Sequence, residues 1–227
     1  MKTIIERRLS LQDRSGTVLV RAGEIWTHGE KTSKLARFKG LGGMKLTPTE
    51  TLPSISTKEA TLSWDGKNLF VADRSSREIF QVDTTNGQEI PVMEPHSLSF
   101  GDFDTALLTP DAIIGDTAWY NGLLYLAIQA GYSSAIYGID LENKRVVSHR
   151  RAPGPKPSGL DFNPKDGTMY IIDTRNRELR KLTTGKEDVA NIPDEWIEPR
   201  GLSFESERRL WSTDWSTGDV LRIRMEE

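Results

Sequence analysis

The sequence predicts an all-β chain folded as a five-bladed β-propeller of four-stranded antiparallel blades, with an N-terminal strand closing the last blade. Three observations carry this reading. A pattern of three short strands recurs five times along the 227 residues. An aromatic residue in the second strand of each copy marks the period, at Trp26, Phe70, Tyr125, Tyr170 and Trp211, with gaps of 44, 55, 45 and 41. The last copy stops at Glu227 after three strands, while a spare segment, Ile4 to Leu11, precedes the first.

The clearest copy runs TLSWDG from Thr61, NLFVAD from Asn68 and REIFQVD from Arg77, with Gly, Asp, Ser and Asn in the turns. TAWYNG, LLYLAI and SAIYGID repeat the order from Thr117. GLDFNPKDG, TMYIID and RELRKL repeat it from Gly159, and GLSFES, RLWSTD and DVLRIR from Gly201. A weaker copy, GTVLVRAG from Gly16, EIWTHG from Glu24 and SKLARFKG from Ser33, supplies the first blade. Each third strand carries an apolar pair three residues apart, such as Ile79 with Val82 and Leu179 with Leu182. Outer strands are predicted at Glu89 to Val92 and Arg145 to Ser148. The blades then cover roughly 14–50, 56–93, 113–150, 157–192 and 199–227 with 3–11, as one domain over 1–227. Closing the last blade with the N-terminal strand removes an open sheet edge.

With 33 acidic and 30 basic residues the chain has no global field to attract a polyanion, so nucleic acid is not an expected partner. The absence of cysteine excludes disulfides, thiolate metal sites and a cysteine nucleophile. No stretch has the apolar length of a signal-peptide core or a bilayer span, which gives the expectation of a cytoplasmic monomer with no membrane partner.

In such blades the loop leading into each inner strand and the hairpin after each second strand share one face. Ligand sites gather there, around the central channel. Counting back from Trp64, Trp119, Phe162 and Phe204 places Glu59, Asp116, Ser158 and Arg200 at the channel mouth, with Ser15 as the first-blade counterpart. The hairpins add His28, Asp73 with Arg74, Gln129 with Tyr132, Asp173 with Arg175, and Asp214 with Trp215. The aspartates that end second strands also suit turn hydrogen bonds. The excess in the 55-residue gap, Glu94 to Ala112, reads either as a lid that brings His96 or Asp104 to the opening or as a packed flap. His149-Arg150-Arg151 with Lys156 reads as a solvated basic edge.

The segments WDGKNLFVADRSSREIFQVD and PSGLDFNPKDGTMYIID resemble the broad superfamily of gluconolactonase-like (regucalcin-type) propellers, NHL repeats and plant-type glutamine cyclotransferases, over about Thr57 to Met225. For a gluconolactonase-like protein the resemblance implies one divalent cation, calcium or magnesium, held in the channel by a glutamate, an asparagine and an aspartate. Glu59 falls near the place of that glutamate, Ser158 stands where the asparagine is expected and Arg200 where the aspartate is. Asp116 offers a further carboxylate. The threonine-glutamine-glycine and glutamate-serine-threonine runs of the cyclotransferases are absent.

Two functional readings follow. In the first, the channel mouth recognises a small polar or anionic molecule, or a peptide, through Arg74, Arg175 and Arg200, with Ser158, Tyr132 and Trp215 around them. In the second, the chain is a lactonase-like hydrolase or lyase in which Glu59 and Asp116 hold a metal or act with His96 as general acid and base.

Overall fold

The computed structural model describes residues 1–39, 48–183 and 187–226, and within them the chain forms five four-stranded antiparallel sheets and no α-helix. Blade 1 comprises β2 (Leu19–Arg21), β3 (Glu24–His28), β4 (Lys34–Phe38) and β5 (Glu50–Ser54). Blade 2 comprises β6 (Ala60–Trp64), β7 (Leu69–Asp73), β8 (Ile79–Val82) and β9 (Glu89–Met93). Blade 3 follows with β10 (Ile113–Tyr120), β11 (Leu123–Gln129), β12 (Ala135–Asp140) and β13 (Arg145–Arg151). Blade 4 is β14 (Pro157–Phe162), β15 (Met169–Asp173), β16 (Glu178–Leu182) and β17 (Glu187–Asn191). Blade 5 is β18 (Pro199–Ser206), β19 (Arg209–Asp214) and β20 (Asp219–Glu226), completed by β1 (Lys2–Ser10). Gly40, which ends the third-strand segment read in the first copy, lies outside the described residues.

The inner strands close a ring. β2 lies against β6 and β18, β6 against β10, β10 against β14 and β14 against β18. Apolar side chains fill the spaces between blades: Trp26 and Leu35 of blade 1 meet Leu62 and Val71 of blade 2, and Ala118 and Ile136 of blade 3 meet Leu160 and Ile171 of blade 4. Fully burying one such Leu or Ile contributes about 1.5–3 kcal/mol. β1 pairs antiparallel with β20 from Lys2 opposite Glu226 to Ser10 opposite Asp219, so the spare N-terminal segment closes the last sheet as the repeat requires. Asp219 clasps that seam, accepting from Arg8 Nη1 and Ser10 Oγ at 2.8 Å each.

Second-strand aspartates turn the chain. Asp73 accepts the N–H groups of Ser75 and Ser76 at 2.8 Å, and Asp173 and Asp214 cap their hairpins in the same way.

A second set of bonds runs around the ring through inner-strand side chains. Leu62 N–H donates to Thr17 Oγ1 at 3.1 Å, tying blade 2 to blade 1, and Thr117 Oγ1 donates to Thr61 Oγ1 at 3.0 Å, tying blade 3 to blade 2. Asp116 Oδ2 accepts Leu160 N–H at 2.8 Å and Leu202 N–H at 3.0 Å, joining blade 3 to blades 4 and 5. Phe204 N–H donates to Asp161 Oδ2 at 2.6 Å, and Val20 N–H to Ser203 Oγ at 2.9 Å. The circuit is closed through all five blades.

The 94–112 segment is a packed flap, not a lid. Leu98, Phe100, Ala106 and Leu107 are buried with Met93 and Phe70 of blade 2 and Tyr137 and Val146 of blade 3, which wedges the segment between the outer parts of those blades. Ser99 exchanges backbone bonds with Lys144 and with Val146 of β13, and Tyr137 Oη donates to Asp104 O at 3.0 Å. Its apolar residues therefore find their partners away from the channel.

Candidate anion-binding mouth

Three inner strands carry a β-bulge near their starts, at Gly115, Ser158 and Gly201. A bulge inserts one residue and re-aims those beside it. Counting from the aromatic anchors therefore places residues of different depth at one level. Measured instead from the residue that ends each second strand, Glu59, Lys156 and Glu198 share the outermost tier, each preceding the residue paired with Asp73, Asp173 or Asp214. Arg200, paired with Thr213, lies deeper. Asp116 is paired with Ala127, two residues before the end of β11.

Arg74 is the central feature of the mouth. Its backbone is bolted between blades: its N–H donates to Glu59 O at 3.0 Å and its carbonyl accepts Ile114 N–H at 2.9 Å. Its side chain is 4% exposed, yet among the described residues Nε and Nη1 have no hydrogen-bond partner. The facing carboxylate, Glu59, keeps its Oε2 3.8 Å from Nε and is itself 52% exposed. Burial and the positive charge of Arg200 pull the Arg74 pKa down, with Glu59, Asp116 and Glu30 opposing.

Arg200 stands beside it, its guanidinium carbon 4.1 Å from the centroid of the Trp215 ring. Its Nη2 donates to Glu198 Oε1 at 3.0 Å, and Lys156 approaches the same oxygen at 3.6 Å, while its buried Nε has no hydrogen-bond partner among the described residues. Trp215 Nε1–H donates to Glu30 Oε1 across blades 5 and 1. Burial raises the Glu30 pKa from its ordinary value against the pull of that bond and of both arginines. Gly16 forms the floor. A methyl group added there would stand 3.4 Å from Arg74 Nη1, 3.5 Å from Glu30 Oε1 and 3.7 Å from Arg200 Cδ, so the absence of a side chain keeps the space between the two guanidiniums open.

The structure thus brings together Glu59, Arg74, Arg200 and Trp215 of the expected residues, and adds Glu30, Glu198 and Gly16. Glu30 follows the end of β3 as Arg74 follows the end of β7, and counting from second-strand ends would have found both it and Glu198. Other expected residues stand elsewhere. Asp116 is fully buried with its carboxylate spent on backbone N–H groups, and this burial holds its pKa well above the ordinary value. Ser158 is the bulge residue of β14; its buried hydroxyl donates to Pro199 O at 2.9 Å. Arg175 is exposed in the β15–β16 hairpin. Tyr132 is 93% exposed on the β11–β12 hairpin. His96 is exposed in a short 3₁₀ turn (Pro95–Ser97) on the flap that blades 2 and 3 hold, so it does not join Glu59 and Asp116 as an acid–base set.

Solved structures with similar backbones include glutaminyl cyclase from Myxococcus xanthus, at TM-score 0.67 and 12% identity over 98% of this chain and 95% of that one. Virginiamycin B lyase from Staphylococcus aureus matches at TM-score 0.58 and 10% identity over 99% and 100% of the two chains. A chain of a nidogen–laminin complex matches at TM-score 0.60 and 15% identity over 88% and 71%. The likeness is one of fold. It accords with the propeller fold that the sequence predicts. No protein-family model and no curated protein matches the chain. Among the described residues no helix is long and apolar enough to cross a membrane.

The divalent cation implied by a gluconolactonase-like propeller does not fit these residues. Asp116 Oδ2 already accepts two N–H groups, Glu59 faces a guanidinium, and Arg200 occupies the position expected of a third ligand. A cation between two arginines would be repelled. Among the described residues no group of three His, Cys, Asp or Glu side chains is placed to hold a metal ion.

Proposed function

We propose that this propeller binds a small anionic ligand, a carboxylate or phosphate ester carried by a metabolite or a peptide, between Arg74 and Arg200 at the channel mouth. The observation that carries the reading is the buried Arg74 guanidinium with two unpartnered nitrogens. A buried donor left unsatisfied costs about 1–3 kcal/mol, more when charged, and an anion oxygen above Gly16 would relieve that cost. Arginine's planar fork is suited to both oxyanions. The test is thermal-shift and calorimetric titration with inorganic phosphate and with succinate. The wild-type chain is expected to be stabilised by at least one of them, and Arg74→Gln and Arg200→Gln to lose the effect. Equal responses in all three chains would refute the reading.

A second reading is enzymatic, and the half-buried Glu30 favours it. A carboxyl raised by burial beside an anion receptor is suited to carry a proton to or from a bound substrate. Two proteins of similar fold are named a cyclase and a lyase. In a screen of lactones and N-terminal glutamine peptides, Glu30→Gln should abolish turnover while retaining phosphate or succinate binding. Turnover unchanged by that substitution would remove Glu30 from the chemistry.

A further inference from the structure

The outer edge of blade 3 differs from those of the other blades in carrying charges of one sign only, which repel a basic strand and not an acidic one. Exposed sheet edges are usually guarded by proline or by charges that discourage pairing with another chain. β5 carries Glu50, β9 carries Glu89 and Pro91, β17 carries Asp188, and β1 carries Glu6. β13 reads RVVSHRR, with neither proline nor an acidic residue, and Lys144 precedes it.

This edge already accepts another strand. Ser99 of the flap donates its N–H to Lys144 O at 2.9 Å and accepts Val146 N–H at 2.8 Å, in parallel pairing with Arg145. The ladder beyond that point remains available. Ala152 N–H donates to Ser134 O, so the alternation of an antiparallel pair aims the backbone groups of His149 and Arg151 away from β12. The bulge after Val146 makes this phase consistent with the bonds Ser99 makes.

The surroundings select an occupant. Arg150 and Arg151 are exposed, and among the described residues neither makes an ion pair. Arg151 donates through Nη2 to Tyr132 O at 3.3 Å and lines an open cleft of about 490 Å³ with Tyr132, Pro153 and Pro155. The His149 ring packs 4.9 Å from Tyr137, leaving Tyr132 as an aromatic side chain with no packing role at 93% exposure.

We infer that the His149–Arg151 edge of β13 is a docking site for an extended acidic peptide segment. The segment adds as a further strand, continues the pairing begun by Ser99, and sets its carboxylates against Arg151 on one face of the sheet and its alternate apolar side chains on the other, with Tyr132 beside Arg151 covering its end. The open backbone ladder favours a peptide over a polyanion that has no amide groups to offer. The site is separate from the channel mouth and does not depend on the anion-binding reading.

The test is fluorescence polarisation with a labelled, acetylated heptapeptide of alternating Glu and Val. Three comparison probes are the same peptide with Lys for Glu, the same peptide with alternate backbone amides N-methylated, and a single-stranded oligonucleotide of equal charge. Binding of the acidic peptide is expected to weaken at least tenfold in Arg151→Glu and at least threefold in Tyr132→Ala. N-methylation should weaken it at least tenfold, and Lys67→Glu, the same charge change in the β6–β7 turn, should leave it unchanged. Tyr132 is so exposed that its truncation leaves folding intact. The inference is overturned if the acidic peptide does not bind, if Arg151→Glu and Lys67→Glu bind it alike, if the N-methylated peptide binds equally, or if the oligonucleotide binds more tightly.

Discussion

Arg200 lies over Trp215, its guanidinium carbon 4.1 Å from the ring centroid, while the indole N–H of the same tryptophan is donated to Glu30. One side chain thus orients a cation on its face and an anion at its edge. Cation–π contact contributes about 0.5–2 kcal/mol depending on desolvation. Trp215→Leu is expected to weaken phosphate or succinate binding about tenfold, and Trp215→Phe, which keeps the face and loses the N–H, by less. Calorimetric affinities in the reverse order would sink this account of the site.

Gly16→Ala probes the aperture. The added methyl stands in ordinary contact with Arg74 Nη1, where the structure leaves room for a ligand oxygen. Affinity for the anion should fall severalfold, while the unliganded chain should keep its stability or gain roughly 0.4–1 kcal/mol from reduced unfolded-state freedom. A wild-type affinity in this variant would place the ligand elsewhere.

Asp116 is a fastening for the ring. Asp116→Ala leaves Leu160 and Leu202 N–H groups buried without an acceptor, at about 1–3 kcal/mol each, whereas Asp116→Asn retains a carbonyl oxygen able to accept. Urea unfolding should therefore show alanine as the more damaging substitution by a few kcal/mol. Equal midpoints would mean that water satisfies the two amides.

Two buried groups make stability respond to pH in opposite senses. Burial pushes the Asp161 carboxyl up to about 7, so the folded chain holds a proton that the unfolded chain has released, and stability falls as pH rises from about 4 to about 7. Burial pulls the His28 imidazole down to about 4, so here the unfolded chain holds the extra proton, and stability rises between about pH 4 and 6.5. Each effect is on the order of a few kcal/mol at most. Relative to wild type, Asp161→Asn should gain stability as pH increases through this window and His28→Gln should lose it, as read from urea midpoints at pH 4.5, 5.5, 6.5 and 7.5. Profiles parallel to wild type would contradict the assignment.

The repeat was legible because each blade spells out the same turn chemistry: Asp73, Asp173 and Asp214 end second strands and cap the hairpins that follow. Closure was legible because the missing strand and the spare segment matched. The mouth was half legible. Arg74 and Trp215 follow directly from the hairpin positions, but the bulges at Gly115, Ser158 and Gly201 are local backbone choices that shift a count by one residue. The bulge at Ser158 turns its hydroxyl onto Pro199, whereas Asp116, with no bulge between it and Trp119, is held in the ring by the N–H groups of Leu160 and Leu202. Whether the flap covers the channel or a blade flank is decided by tertiary packing against Tyr137, which no spacing in the flap encodes.

The pairing of Lys2 with Glu226 has a temporal side. β1 leaves the ribosome well before β20 and finds its partner only when β20 has followed. Until then Thr3, Ile5 and Leu9 have no sheet to join, and the growing chain is open to wrong association. For this molecule, vulnerability belongs to translation, and the finished ring is its protection.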